Sequence, residues 1–273
     1  QLEPLLGQLR PDDDTVHLSV LGSGGDTPEA FSRALERDVR EIVRFVSSVG
    51  SRPLAVDQFE APLPREAPPD ALLGVVSDAV DALRSLTPVP PLPFFECSLL
   101  EGWRDRIKPS VEAISGASGP GRTIGLKIRC GGTIVSAVPS IAAVAAAIAA
   151  CRTAAIPLKA TQGLHHPLRH FDVQLETTAH GFINLFVGGA LAQSVGVPED
   201  RLLEVLEEED PTAFVFAEET ITWRGHRLDI QGIAAGRRNA VTSFGSCSFD
   251  EPRDDLLELG LLDPQPTEPR ETL

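Results

Sequence analysis

One pattern recurs from residue 15 to about residue 194: a short apolar or β-branched run, then a turn with Gly or Pro, then a helix. The first instance is the run 15–21, which is followed by the turn 22–25 and by a helix that we expect to stop at Gly50. Parallel strands need a crossover connection, usually a helix, so strands that alternate with helices are typical of parallel βαβ units. The pattern therefore predicts an α/β protein with a mainly parallel sheet.

The same reasoning assigns the remaining elements. Further strands are predicted at 53–59, 93–97, 123–130, 156–161, 212–217 and 240–244, with 171–175 as a candidate eighth strand. Helices are predicted at 28–49, 69–86, 102–115, 140–153, 179–194, 198–209, 230–235 and 252–259. The segment 221–230 is predicted to be a hairpin that turns at Arg224, Gly225 and His226.

Seven strands and a candidate eighth in 273 residues predict a (β/α)8 TIM-like barrel, a fold that typically takes about 250 residues. Seven strands or an incompletely closed sheet are variants of this expectation. An open doubly wound sheet is the alternative, but the turn 22–25 does not match G-x-G-x-x-G and the chain has no P-loop motif. We expect one barrel domain at 15–262, an N-terminal extension at 1–14 and a disordered, Pro-rich tail at 263–273.

Charge and hydropathy restrict the partners of the chain. The formal net charge of −15 repels nucleic acid and anionic membrane surfaces. The longest unbroken apolar run, Ile141 to Cys151, is shorter than the roughly 18 residues of a membrane-spanning helix. The four cysteines have no regular spacing, which argues against a disulfide framework. We therefore expect a cytoplasmic protein that binds neither nucleic acid nor membrane, with a homo-oligomeric state left open.

A basic segment lies inside this acidic chain. Between Gly121 and His170 there are six basic residues and no acidic one: Arg122, Lys127, Arg129, Arg152, Lys159 and Arg169. Two of the three lysines of the chain, Lys127 and Lys159, lie in this segment. The segment predicts a binding site for a small anionic metabolite.

The two lysines also lie on predicted strands, where alternate side chains share a face. In α/β barrels reactive groups project from the carboxyl ends of strands. Like charges that are held close together favour the neutral amine of a lysine, which can then act as a base or form a Schiff base. We therefore predict Lys159 as the Schiff-base lysine, Lys127 as the neighbour that activates it, and Glu96 as the group that moves protons. The alternative is that the lysines pair with buried acids such as Glu96 or Glu218.

Residues for substrate binding are predicted at the same strand ends. They are Arg129, Gly131, Gly132, His165, His166, Arg169 and Ser246. Histidines in the loop after the fifth strand can hold an anion, transfer protons or bind a metal. We expect no cofactor. The metal alternative uses His166 and His170 with Glu96 or Cys97, although Pro167 disrupts the helical spacing of a common zinc motif. A thiolate site from Cys97, Cys130 and Cys247 is a further alternative.

The five residues from Lys159 to Gly163 (KATQG) resemble the lysine-bearing strand of deoxyribose-phosphate aldolase-type class I aldolases. In that family a Lys-Thr-x-Thr-Gly run carries the Schiff-base lysine, and Lys159, Thr161 and Gly163 match it with a shifted spacing. The resemblance implies that Lys159 is the nucleophile. The basic barrel mouth is also similar in kind to that of quinolinate phosphoribosyltransferases, although this chain lacks the motifs of that family.

Together these features predict a lyase of the aldolase type that acts on a small anionic, carbonyl-bearing metabolite. Two alternatives remain open. One is a transferase or isomerase that uses the same cationic pocket without a covalent step. The other is a non-catalytic metabolite-binding protein, which a fold alone does not exclude.

Overall fold

The structure is a computed structural model that describes residue 10 and residues 14–50, 52–84, 90–121, 123–248 and 250–263. Most of the predicted N-terminal extension (1–14), nearly all of the predicted tail (263–273), and Arg122 of the basic segment lie outside these described residues.

The main sheet contains six parallel strands. They are β1 (Val16–Leu21), β2 (Leu54–Pro62), β3 (Leu92–Glu96), β4 (Gly125–Arg129), β5 (Leu158–Thr161) and β11 (Val241–Gly245). Their order across the sheet is β1-β2-β3-β4-β5-β11, so the first five strands are neighbours in sequence order. Each successive parallel crossover is expected to be right-handed, which places the connecting helices on one side of the sheet. One face of the sheet is therefore covered by helices, and the sheet curves so that its other face is concave.

The helices are α1 (Pro28–Val49), α2 (Leu72–Arg84), α3 (Trp103–Ala117), α4 (Ile141–Ala154), α5 (Phe182–Ser194), α6 (Glu199–Glu207), α7 (Ile230–Asn239) and α8 (Asp250–Glu258). Helix α1 illustrates why they form. The Thr27 side chain accepts a hydrogen bond from Ala30 N at 3.2 Å, and Pro28 occupies the first turn. Gly50 follows the helix with φ of 66°, a conformation that favours glycine. The predicted bounds of α1 are confirmed.

Residue alternation gives the two faces of the sheet different chemistry. Apolar side chains on one face, among them Phe59, Phe95 and Ile128, are buried in the hydrophobic core with the helices. The opposite face, which we call the inner face, carries Ser19, Gln58, Glu60, Phe94, Glu96, Lys127, Arg129, Lys159, Thr161 and Ser243. The polar side chains of the strands are thus concentrated on the face that the crossover helices leave open.

The predicted closed barrel is wrong, although the α/β class is correct. Two predicted strands leave the main sheet. The segment 212–217 contributes β8 (Phe214–Phe216), which pairs antiparallel with β9 (Thr220–Trp223), and β9 pairs with β10 (His226–Asp229). The candidate eighth strand contributes β6 (His170–Asp172), which forms a small antiparallel pair with β7 (Thr177–Ala179). The main sheet is therefore an open half-barrel whose edges, among the described strands, are β1 and β11.

The predicted hairpin at 221–230 is confirmed, because β9 and β10 pair antiparallel around Arg224 and Gly225. These two residues have φ of 42° and 83°, the left-handed conformation that a two-residue hairpin turn requires. The β8–β10 sheet packs beside α5 and α7 instead of extending the half-barrel.

One segment, Val135–Ala154, is long and apolar enough to cross a membrane by length and composition. The regular α-helix in it, α4, covers only Ile141–Ala154. At about 1.5 Å per residue such a helix is shorter than the roughly 30 Å hydrocarbon core of a bilayer. Ala143, Val144 and Ile148 are buried in the core. Helix α4 is accordingly a core helix of the α/β domain.

Candidate functional site

Four charged side chains meet on the inner face: Glu60, Glu96, Lys127 and Lys159. Lys127 Nζ lies 2.7 Å from Glu60 Oε2, and Lys159 Nζ lies 2.6 Å from Glu60 Oε1. The Ser19 hydroxyl donates to Glu60 Oε1 at 2.5 Å. Lys127 Nζ is also 3.0 Å from Glu96 Oε2. One carboxylate therefore joins the two lysines of the basic segment.

The register of the parallel sheet explains why these side chains meet. Glu96 lies beside Lys127, and Lys127 lies beside Lys159, on three adjacent strands. Directly paired residues of neighbouring strands point to the same face and are close enough to interact. Glu60 extends the row from β2, and its long side chain spans the remaining distance to both lysines.

The network leads from the buried part of the inner face to the carboxyl ends of the strands. Arg129 Nε lies 2.7 Å from Glu96 Oε1. The exposed fraction of the side chain is 4% for Glu60, 7% for Lys127, 11% for Glu96 and 49% for Arg129. The guanidinium of Arg129 is therefore the charged group of the network that is exposed to solvent. We call the set of Ser19, Gln58, Glu60, Glu96, Lys127, Arg129 and Lys159 the inner-face network.

The ionisation of Glu60 depends on this network. Burial by itself would raise the pKa of the Glu60 carboxyl, but hydrogen bonds from Lys127, Lys159 and Ser19 outweigh that effect. Together with the positive charge of Lys127 they lower the pKa to about 2. Glu60 is thus a carboxylate at neutral pH, where it compensates the buried charge of Lys159 and, together with Glu96, that of Lys127.

The ammonium group of Lys159 has acceptors on several sides. Besides Glu60 it donates to Gln58 Oε1 and, at 3.2 Å, to Ser19 Oγ. Its Nζ lies 5.8 Å from the centroid of the Phe94 ring. A lysine ammonium has three N–H donors and no acceptor, so these contacts match all three. The alternative that the lysines pair with buried acids is confirmed for Glu96, whereas Glu218 lies exposed in the turn between β8 and β9.

Two cavities lie on either side of Glu96 and Arg129 at the carboxyl edge. One has a volume of about 470 Å³ and is also lined by Arg65, Asp105 and Arg106. The other has a volume of about 360 Å³ and is lined by Gly131, Gly132 and Gln162, among others. Both volumes suit a small metabolite. The structure thus brings Lys127, Lys159, Glu96 and Arg129 together and places the two glycines beside them.

The predicted histidines lie in a separate group. His165 Nδ1 is 2.9 Å from Glu251 Oε2, and His166 Nδ1 is hydrogen-bonded to Asp255; both acids belong to α8. Ser246 Oγ lies 3.4 Å from His165 Nδ1. His165, His166 and Glu251 border a cavity of about 690 Å³ that also reaches Gly131, Gly132 and Thr133. His165, His166 and Ser246 therefore adjoin the cavity of Arg129 without lining it.

Arg169 and the metal alternatives are not brought to the network. Arg169 Nε lies 3.3 Å from Glu209, beyond the end of α6. The His166 and His170 rings pack edge to face with their centroids 4.1 Å apart, and His170 Nδ1 contacts the Leu168 carbonyl. Within the part of the chain that the structure describes, no three His, Cys, Asp or Glu residues are arranged to hold a metal ion.

The cysteines differ in their surroundings. Cys97 and Cys130 are buried, and Cys247 is exposed. Burial raises the pKa of the Cys97 thiol, and it raises the pKa of Cys130 to about 12. These two thiols are therefore neutral at physiological pH, whereas a metal ligand is a thiolate. The proposed three-cysteine site lacks support from this arrangement.

Sequence reasoning missed Glu60, Gln58, Ser19 and Glu251. The second strand was predicted to end at residue 59, so Glu60 fell outside it, whereas β2 continues to Pro62. A signal was present, because Gln58 and Glu60 alternate with apolar Phe59 as Lys127 and Arg129 alternate with Ile128. No comparable signal links Glu251 with His165, because the two residues are far apart in the sequence.

A comparison with models of known protein families finds no match, and a comparison with curated proteins finds no significant similarity.

Proposed function

We propose that this protein is an enzyme that binds a small anionic, carbonyl-bearing metabolite at the carboxyl edge of the half-barrel and transforms it without a covalent intermediate. The observation that carries this proposal is the position of Arg129. Arg129 is the half-exposed end of a buried ionic network, and it lies between two cavities of metabolite size. The corresponding reaction classes are isomerases and transferases in which negative charge develops on a carbonyl oxygen.

The chemistry of a guanidinium group supports this role. Arg129 uses Nε to contact Glu96, and a guanidinium has further N–H donors in a planar fork that fits carboxylate or phosphate. Glu96 is a positioning residue, because its Oε1 holds Arg129 while its Oε2 lies near Lys127. Cations that are fixed in place before the reaction stabilise developing negative charge at no cost of reorganisation.

The contacts of Lys159 favour the non-covalent reaction over Schiff-base formation. A Schiff base forms when a neutral amine attacks a carbonyl carbon and water leaves, so Lys159 must first lose a proton. In the structure the Lys159 ammonium faces Glu60, Gln58 and Ser19, which all stabilise its charged form. His165 and His166 already face carboxylates, so we leave both out of the anion site.

The proposal is tested by anion binding. Phosphate and succinate are titrated against the protein, and the dissociation constant is measured by calorimetry. We expect Arg129→Gln to weaken binding by at least about tenfold, since hydrogen bonds to charged groups contribute about 1.5–3 kcal/mol. The matched control is Arg40→Gln on α1, where Arg40 and Glu36 form an exposed pair at 3.9 Å. Equal affinity of Arg129→Gln and wild type for both anions would refute the site.

The aldolase-type reaction is a second candidate. It is favoured by one observation: Lys127 and Lys159 are directly paired on β4 and β5, and a like charge held nearby favours the neutral amine of Lys159. Treatment with pyruvate and borohydride should then add mass at Lys159 in the wild type and not in Lys159→Arg. If no adduct forms although the protein binds succinate, Schiff-base formation with a 2-oxo acid is excluded and the non-covalent site remains.

We also propose a cytoplasmic location. Cys97, Cys130, Cys151 and Cys247 are free thiols, and cysteines in reducing compartments remain unpaired. The net charge of −15 supports a metabolite as the partner in preference to nucleic acid or an anionic membrane.

A further inference from the structure

Cys247 lies in a cluster of reactive side chains that is separate from the inner-face network. Its Sγ is 3.6 Å from His165 Nε2 and 3.8 Å from His165 Nδ1, and Glu251 Oε2 is 2.9 Å from His165 Nδ1. A thiol, an imidazole and a carboxylate within contact distance in this order form the arrangement of an activated nucleophile. We propose that Cys247, His165 and Glu251 are a nucleophilic triad that cleaves an ester or thioester by acyl transfer.

The fold brings the three residues together at the carboxyl edge of the half-barrel. His165 follows β5 and Cys247 follows β11, and these two strands are paired neighbours. Glu251 lies in the first turn of α8, where its backbone N–H donates to Ser248 Oγ at 3.1 Å. This bond orders the start of the helix. The triad therefore lies on the ends of regular elements, which restricts the positions of its side chains.

The contact with Glu251 assigns a role to each nitrogen of the imidazole. When the carboxylate accepts the proton on Nδ1, the neutral ring keeps its lone pair on Nε2. Cys247 Sγ is almost equidistant from the two ring nitrogens, so it lies over the ring and rotates about the Cα–Cβ bond of Cys247 to meet this lone pair. His165 can then take the thiol proton while Sγ attacks. Glu251 is a positioning residue in this scheme, because it orients His165 and does not touch the substrate.

Exposure separates Cys247 from the other three cysteines. Cys97, Cys130 and Cys151 are buried, and burial raises the pKa of each of their thiols. Cys247 is exposed and therefore accessible to an electrophile from solvent. The chain thus carries one accessible thiol, and that thiol is the one beside an imidazole.

The adjoining cavity supplies space for an acyl substrate. It has a volume of about 690 Å³ and is lined by His165 and Glu251, among others, whereas Cys247 lies outside this lining and reaches it past His165. The cavity also continues along Phe171, Val173 and Leu175, which would accommodate an apolar part of the substrate.

The reaction proceeds in two steps that need only water as a co-reactant. In the first step Cys247 Sγ bonds to the carbonyl carbon, the bond to the alcohol or thiol breaks, and His165 passes the thiol proton to that leaving group. In the second step His165 takes a proton from water, and the oxygen attacks the thioester. The carboxylic acid leaves, and the proton returns to Cys247 Sγ.

The test uses p-nitrophenyl acetate as the acyl donor and follows the full-length protein by intact mass and peptide mapping. We expect one acetyl group on Cys247, an initial burst of nitrophenolate equal to that acetyl group, slower release afterwards as the thioester is hydrolysed, and no adduct in Cys247→Ala. His165→Ala should slow acetylation by about a hundredfold, the lower range for loss of a general base. Glu251→Gln should slow it by about tenfold, whereas Glu258→Gln on the same helix should leave the rate unchanged.

Two results would overturn the inference. One is acetylation of Cys247 at the same rate in wild type, His165→Ala and Glu251→Gln, which would show an ordinary exposed thiol. The other is acetyl transfer only to residues other than Cys247. Far-UV circular dichroism of each variant, with a thiol count in denaturant, excludes misfolding as the cause of a slow rate. The inference stands apart from anion binding at Arg129, which a separate titration measures.

Discussion

Glu60 links two lysines from different strands, and its side chain is 4% exposed. Buried ion pairs add little net stability compared with apolar residues of the same size, but removal of one partner leaves an uncompensated charge. At the scale of single residues, Glu60 is therefore the position where a small change in the side chain is expected to lower the free energy of unfolding most. Lys127 retains Glu96 when Glu60 is neutralised, whereas Lys159 retains only the uncharged groups of Gln58 and Ser19.

We expect Glu60→Gln to lower the free energy of unfolding by about 3–5 kcal/mol, because two buried ammonium groups lose their shared counterion. Urea denaturation at neutral pH measures the change. Glu36→Gln is the matched control, since Glu36 forms an exposed pair with Arg40 at 3.9 Å and exposed pairs contribute about 0–1 kcal/mol. Similar losses in the two variants would show that the network does not depend on Glu60.

The pKa of Glu60 also predicts the acid sensitivity of the protein. The pKa is lowered from 4.5 to about 2 in the folded protein, so the ionised carboxylate favours folding. Its contribution is complete above the pKa of the unfolded chain and is lost as the pH falls from 4.5 towards 2. The urea midpoint of wild type should fall more steeply in this pH range than that of Glu60→Gln. Parallel profiles of the two proteins would contradict the assignment.

At the scale of elements, Asn184 of α5 joins three segments. Its side-chain amide donates to the carbonyls of Val205 and Glu208, each at 2.8 Å, at the end of α6. Its Oδ1 accepts from the backbone N–H of Arg169 at 2.9 Å. The last carbonyls of a helix have no partner within the helix, and here a buried side chain satisfies them. Asn184 thus fixes the position of α6 against α5.

Asn184→Ala should destabilise the protein by about 3 kcal/mol, because it leaves buried backbone groups without hydrogen bonds. Thermal and urea denaturation measure this loss. The other asparagine of the chain, Asn239, is exposed at the end of α7, and Asn239→Ala should change stability by less than about 0.5 kcal/mol. A neutral Asn184→Ala variant would mean that water replaces these hydrogen bonds.

At the scale of the whole molecule, the chain combines a half-barrel with a small antiparallel sheet, and one tryptophan lies in each part. Trp103 begins α3, which connects β3 and β4, whereas Trp223 is buried in β9 and donates to Glu208 at 3.1 Å. The prediction of one domain over 15–262 requires that both parts unfold together. A small cooperative domain loses all of its structure in one transition.

Two single-tryptophan variants test this cooperativity. In Trp103→Phe the fluorescence reports on the antiparallel sheet, and in Trp223→Phe it reports on the half-barrel. In each variant we expect the fluorescence and the far-UV circular dichroism to change at the same urea concentration. If Trp223 fluorescence changes at lower urea than the circular dichroism, the antiparallel sheet is a separate unit.

Most elements were predictable because their signals are local. Helix α1 was predicted with its observed bounds, since the cap at Thr27 and the stop at Gly50 lie beside the helix they delimit. The hairpin of β9 and β10 was predictable from Arg224 and Gly225 for the same reason. The carboxyl end of strand β2 was predicted three residues too early, at Phe59 instead of Pro62. Glu60 lies beyond the predicted end of the strand, so it was not identified as a strand residue.

The sequence by itself determined most of the order of strands and helices, the α/β class, and the concentration of basic residues that supplies Lys127, Arg129 and Lys159. Only the tertiary structure decided that the sheet stays open, because β8 pairs with β9 and β11 pairs with β5. It also decided that Glu60 joins the lysines and that Cys247 meets His165, 82 residues away. The physical reason is the range of the interactions: periodicity and capping act between near neighbours, whereas strand pairing and ion pairing depend on which distant segments meet.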